Sequence, residues 1–161
     1  LKKTNSNIML TFAGDGPLRK ELKKKADELN CGDCVQFPGR VEDIRSFYRA
    51  IDCFVLPSIA EGLPRTLLEA MSSNVLSVAA SVGGVPEILA NGQFGFLVPP
   101  KNSDELAKAM QKCIELDGKT KEALIKAANN CVKEKYNHPV IIKTLEKLYD
   151  DCMMLADINR P

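Results

Sequence analysis

Five short apolar runs, separated by stretches with helical spacing, limit this chain to an α/β architecture. Ile8 to Phe12 is the first and ends in Ala13-Gly14-Asp15-Gly16-Pro17, which reads as a buried strand followed by a tight turn. A helix follows to about Asn30. Cys34 to Phe37 is the second strand, stopped at Pro38-Gly39, and Glu42 to Ala50 is again helical in pattern. Asp52 to Leu56, Val75 to Ala79 and Gly95 to Val98 are the remaining strands, with helices from Pro64 to Ser72 and from Pro86 to Ala90 between them. Strands this apolar are covered on both faces, so the pattern predicts a doubly covered parallel sheet. Ligands of such sheets bind beyond the carboxyl ends of the strands. Gly14-Asp15-Gly16, Gly39-Arg40-Val41, Ser58 to Glu61 and Ser81 to Gly84 all follow strands and fall on that edge.

From Asn102 the pattern changes to three consecutive helices, Asp104 to Leu116, Lys119 to Lys135 and Pro139 to Leu155, with Ser103 as the expected cap of the first. The reading is one domain: a Rossmann-like core over 1–101 and C-terminal helices over 102–161. Asp157 to Pro161 are expected to fray.

The segment Glu61-Gly-Leu-Pro-Arg-Thr-Leu-Leu-Glu69 carries the chemistry. Pro64 suits the first helical position, so Glu61 falls in the preceding loop and Glu69 in the second turn. Leu67, Leu68, Ala70 and Met71 flank Glu69, and the helix reads as buried on most sides. A carboxylate in such a place needs partners, because its desolvation costs several kcal/mol, on the order of the usual buried-charge penalty. Sugar or ribose hydroxyls are natural ones. The amides of Leu63, Arg65 and Thr66 point out of a positive helix end, which suits a phosphate. The structural alternative is a simple Arg65–Glu69 pair, in the weaker orientation and worth only about 0.3 kcal/mol.

Composition removes several other classes. The chain has 161 residues and a formal net charge of +1, so electrostatics make no case for nucleic acid. The lysine run at 23–25 reads as the solvated face of a helix whose other face carries Leu18, Leu22, Ala26 and Leu29. No run approaches the ~20 apolar residues that span a bilayer, and no signal peptide opens the chain. The six cysteines are scattered. Cys31-Gly-Asp-Cys34 has no second pair to complete a zinc site and precedes a strand, unlike a redox motif. His138 is the single histidine, expected at the surface before Pro139. A reducing, cytoplasmic setting follows, possible contact with a membrane's cytosolic face being left to a parent protein.

Taken in order, Gly14-Asp15-Gly16-Pro17, Phe37-Pro38-Gly39-Arg40-Val41, Ala50 to Ser58, Glu61 to Glu69 with Ala70-Met71, Gly83-Gly84-Val85-Pro86-Glu87, Asn91-Gly92 and Gly95 to Pro100 resemble the group 1 (family 4) retaining glycosyltransferases. The resemblance covers roughly Ile8 to Met110. It implies the GT-B architecture, two Rossmann-like domains across a cleft, with this chain as much of the C-terminal, donor-binding domain. It implies a nucleotide-diphosphate sugar, UDP- or GDP-linked, as donor and a carbohydrate or glycolipid as acceptor. Glu69 would hold the ribose hydroxyls, and Glu61, the candidate catalytic carboxylate, would face the donor sugar. Amides around Leu63, Pro64, Arg65 and Thr66 would cradle the diphosphate. Arg40 and Val41 would contact the base, and Gly14 and Gly16 would let the backbone approach the nucleotide.

Retention by front-face displacement belongs to the same implication, and no acidic pair calls for a metal. The family's N-terminal acceptor domain is not represented. Nor is its first strand–helix unit, with the arginine and lysine that bind the donor phosphates, since Lys2 and Lys3 do not match them. The isolated chain is therefore expected to be inactive. Asn74 and Leu76 replace the usual Gly and Pro, and Asn tolerates a left-handed cap. Glu87 in a first helical turn complements the dipole. Two other classes fit the residues less well: a noncatalytic nucleotide-binding or assembly module, and a GT-B nucleotide-sugar epimerase.

Overall fold

A computed structural model describes residues 8–158. The chain gathers into two compact units, Leu1–Ala50 and Ile51–Pro161, and the five expected strands form with only parallel pairings. In the first unit β1 (Leu10–Ala13) pairs with β2 (Val35–Gly39). Leu10 lies opposite Val35 and Thr11 opposite Gln36, after which the register shifts so that Ala13 meets Gly39. Phe12 and Phe37 stack at 5.1 Å between ring centroids, a side-chain pair that reinforces this short ladder. Helix α1 (Arg19–Glu28) and helix α2 (Ile44–Arg49) complete the unit, the latter capped by Asp43, whose carboxylate accepts from the Ser46 amide at 3.0 Å.

One expectation fails in α1. The lysines are solvated as expected, but the opposite face is not buried: Leu18 and Leu29 remain 60% and 61% exposed. A two-stranded sheet offers too little apolar area to cover a helix of this length. The Cys31-to-Cys34 segment forms a short 3-10 turn with free thiols, and each sulfur donates to a main-chain carbonyl.

The second unit runs β3 (Cys53–Leu56), α3 (Arg65–Ser72), β4 (Leu76–Ala80), α4 (Val85–Ile88), β5 (Phe96–Val98), α5 (Ser103–Glu115), α6 (Gly118–Lys135) and α7 (His138–Ile158). The sheet order is β3-β4-β5, and every residue of the central β4 is buried. Its side chains alternate between two cores, as a strand's two-residue period requires. Leu76 and Val78 join Val98, Ala109 and Cys113 on one side, where α5 packs. Ala79 joins Leu67, Met71, Val85, Ile88, Leu89 and Ala128 on the other, with α3 and α6. This is the double covering that the apolar strands demand. Cys53 lies against the first of these cores, and the neighbouring Cys113 thiol together with burial pushes its own thiol well up from the ordinary range. Such a thiol is held protonated and inert.

Two helix caps fall one position from where the sequence places them. Asn102, not Ser103, caps α5, its side-chain oxygen accepting from the Glu105 amide at 3.0 Å. Both residues are good caps, but Asn102 has the extended backbone that the cap position needs. Pro64 is the cap of α3 rather than its first helical residue, with ψ at 102°. Asn74 adopts a left-handed φ of 63° as expected for its Gly-like position. His138 is exposed at the start of α7. That helix continues through Ile158, beyond the expected fraying point, while the last residues, 159–161, lie outside the described ones. Among the described residues no helix is long and apolar enough to cross a membrane.

Candidate functional site

Strand β3 delivers the chain to Pro57 and Ser58 at its carboxyl end, and the loop that follows carries Glu61 into α3. Glu61 is half-buried, and the Ser58 hydroxyl donates to its Oε1 at 2.6 Å. That length belongs to a charge-assisted hydrogen bond, which restricts the carboxylate to one orientation while leaving its other lone pairs available.

The neighbouring strand fixes the same loop from the other side. After β4 the chain turns through Ser81 to Gly84, and the Gly84 amide donates to Gly62 O at 2.9 Å. Gly83 has φ of +51°, and a Cβ built on it would stand 1.8 Å from the carbonyl oxygen of Glu61. A Cβ on Gly84 would stand 2.7 Å from Gly62 O. Only glycine permits this approach of two backbones. The Ser81 amide donates to Val98 O at 2.8 Å, tying the turn to β5.

Helix α3 starts immediately after this loop. Its first internal donors are Leu67 and Leu68, both to Pro64 O. The amides of Leu63 and Arg65, ahead of them, have no acceptor among the described residues, as the first turn of a helix dictates. Placing Pro64 at the cap leaves Glu69 in the second turn. The helix is amphipathic rather than buried on most sides. Leu67, Ala70 and Met71 are buried, Arg65, Thr66 and Ser72 are exposed, and Glu69 sits half-buried between the two faces. At the far end of α3, the buried Asn129 of α6 donates its amide to Met71 O and Ser72 O, at 3.3 and 2.9 Å. This satisfies the Ser72 carbonyl that the helix end leaves over and adds a second donor to Met71 O, which also accepts from the Asn74 amide.

The structure thus brings Glu61, Leu63, Pro64, Arg65, Thr66 and Glu69 together on one loop–helix segment at a strand's carboxyl end. The other expected residues belong to the first unit. Gly14 and Gly16 are exposed in the loop after β1, with open space where side chains would stand. Gly14 needs its glycine, since φ is +123° while its amide donates to Gly39 O at 2.7 Å. Arg40 is exposed and Val41 half-buried in the loop after β2. Arg19, beneath that loop, donates to Phe37 O and lies 3.7 Å from Asp15. Glu87 is exposed in the first turn of α4. Burial, with Glu87 beside it, raises the Tyr136 hydroxyl above its ordinary range. The sequence reading placed Ser58, Gly83 and Gly84 on the ligand edge without a role. The adjacent glycines after a largely apolar strand were the signal that two backbones meet there.

Three similarities bear on this geometry. The chain is 35% identical over 133 residues to the sulfoquinovosyl transferase SQD2 of Arabidopsis thaliana, covering 80% of this chain and 25% of that protein. Its fold matches the Anabaena protein Alr3699/HepE, solved in complex with UDP-glucose, at a TM-score of 0.84 and 27% identity, over 91% of this chain and 42% of that one. It also matches the C-terminal domain of the group 1 glycosyl transferase LpcC from Francisella tularensis at a TM-score of 0.75 and 29% identity, over 85% of this chain and 74% of that one. The chain spans about a third of the length of the curated relatives it matches. Residues 1–131, which hold both strand sets and the whole Glu61-to-Glu69 segment, match the family of group 1 glycosyl transferases. The chain belongs to that family.

Proposed function

We propose that this chain is the donor-binding domain of a retaining glycosyltransferase, of hexosyl type, that uses a nucleotide-diphosphate sugar in building a polysaccharide or glycolipid. The observation that carries the reading is the loop–helix segment of the second unit: a clamped Glu61 ahead of α3, acceptor-free amides at Leu63 and Arg65, and Glu69 one turn further on. In this reading the amides and the positive end of α3 hold the diphosphate, Glu69 accepts from the ribose hydroxyls, and Glu61 accepts from hydroxyls of the transferred sugar. As the sugar departs, negative charge grows on the diphosphate, where fixed amides and the helix end stabilise it without reorganising. No residue is assigned as a covalent nucleophile, and no metal is assigned to the site.

The bound nucleotide of the HepE structure favours uridine among the bases. The chain covers about a third of its relatives' length, so the acceptor and the completed cleft are assigned to a companion domain of the parent protein. The isolated chain then binds donor without transferring it.

Calorimetric titration of the chain with UDP, GDP and ADP tests the reading. Saturable binding of UDP, with GDP and ADP at least tenfold weaker, is the expected result. Silence toward all three, repeated on a longer stretch of the parent protein, contradicts a donor site here.

A further inference from the structure

We infer that Ser58, Gly83 and Gly84 are positioning residues that hold the Glu61 carboxylate in one place, and that this fixed placement lets the site discriminate between donor sugars. The inference rests on reading the segment as a nucleotide-sugar site. Three contacts converge on two consecutive residues. The Ser58 hydroxyl holds the Glu61 carboxylate at 2.6 Å. Gly83 allows the Glu61 carbonyl to sit where any side chain would collide, at 1.8 Å from a Cβ position. Gly84 holds the next carbonyl, Gly62 O, at 2.9 Å.

Side chain and backbone of Glu61 are therefore fixed by different elements, the end of β3 and the turn after β4. Gly83 is itself exposed, so its glycine is demanded by the contact with Glu61 and not by a crowded core. A loop glutamate has many rotamers, and an acceptor spread over them cannot tell one epimeric hydroxyl from another. Discrimination between such sugars requires the acceptor to be placed within a fraction of an ångström before the sugar arrives.

The test compares affinities for UDP alone with those for UDP-glucose, UDP-galactose, UDP-N-acetylglucosamine and UDP-N-acetylgalactosamine. If guanosine proves to be the base, GDP, GDP-mannose and GDP-fucose take their place. The chain is measured as it stands and with Ser58→Ala, Ser58→Thr and Gly83→Ala, each with its melting temperature. The original chain is expected to prefer one sugar by about tenfold. Ser58→Ala is expected to flatten that preference to within about twofold while UDP affinity stays within about twofold, and Ser58→Thr restores it by returning the hydroxyl. Gly83→Ala flattens it in the same way where the chain stays folded, and Ser58→Ala decides alone where it does not. A preference that survives Ser58→Ala, a loss of UDP and sugar nucleotides alike, or no sugar preference in the original chain overturns the inference while leaving the nucleotide site standing. Failure of any nucleotide to bind the original chain and a longer stretch of the parent protein alike overturns the site reading and this inference together.

Discussion

Glu69→Ala is expected to weaken binding of the nucleoside diphosphate by about thirtyfold or more, with little change in melting temperature. Glu69 lies half-buried on α3, between the buried face of Leu67, Ala70 and Met71 and the exposed face of Arg65 and Thr66. In the proposed site the Glu69 carboxylate accepts from both hydroxyls of a ribose diol, and hydrogen bonds to a charged group are worth about 1.5 to 3 kcal/mol each. Losing both exceeds the ~2 kcal/mol that corresponds to a thirtyfold change. Ala also has the best helix propensity, so the helix itself gains a few tenths of a kcal/mol from the change. Binding and stability are therefore read apart, the first by titration and the second by the melting temperature. A parallel fall in melting temperature would make Glu69 a structural residue and remove its assignment to the ribose.

The second large effect runs the opposite way. Leu67→Ala is expected to cost about 3 to 4 kcal/mol of stability, read from urea denaturation of the chain. Leu67 is fully buried in the core formed with Met71, Ala79, Val85, Ile88, Leu89 and Ala128. That core has members from β4, α3, α4 and α6, so the cavity cannot close by moving one side chain. The helix that loses Leu67 is also the one that presents Glu69. Nucleotide affinity is expected to hold at low temperature and to fall in step with the population of folded protein. A cost below about 1 kcal/mol would mean that α3 repacks freely and does not fix the site.

The fold was legible because its signals are local. Apolar runs bounded by glycine and proline announced β1 to β5, and the parallel pairing followed from runs too apolar to leave one face in water. The Glu61-to-Glu69 segment was equally local, since the spacing alone places one carboxylate before a helix and the other in its second turn. Cap positions were off by one where neighbours compete: Asn102 and Ser103 are both good caps, and Pro64 is tolerated at the cap as well as inside the first turn. The apolar face of α1 misled because its periodicity says nothing of how much sheet is present to cover it. The contacts that set the site are long-range. Asn129 reaches α3 from 57 residues away, and the meeting of Gly83 with Glu61 exists only once β3 and β4 lie side by side. The first leaves no pattern in its own window of sequence, and for the second the paired glycines at 83 and 84 mark a close approach without naming what approaches.

In the proposed site a nucleoside diphosphate sits at the start of α3, and mapping its binding by nuclear magnetic resonance on the isotopically labelled chain tests that placement. A chain of 17.7 kDa gives resolved amide signals. Titration with UDP is expected to move the amides of Leu63, Arg65 and Thr66 furthest, with Glu61 and Glu69 next. Shifts confined to other parts of the chain, with the Leu63-to-Thr66 amides unmoved at saturation, would contradict it.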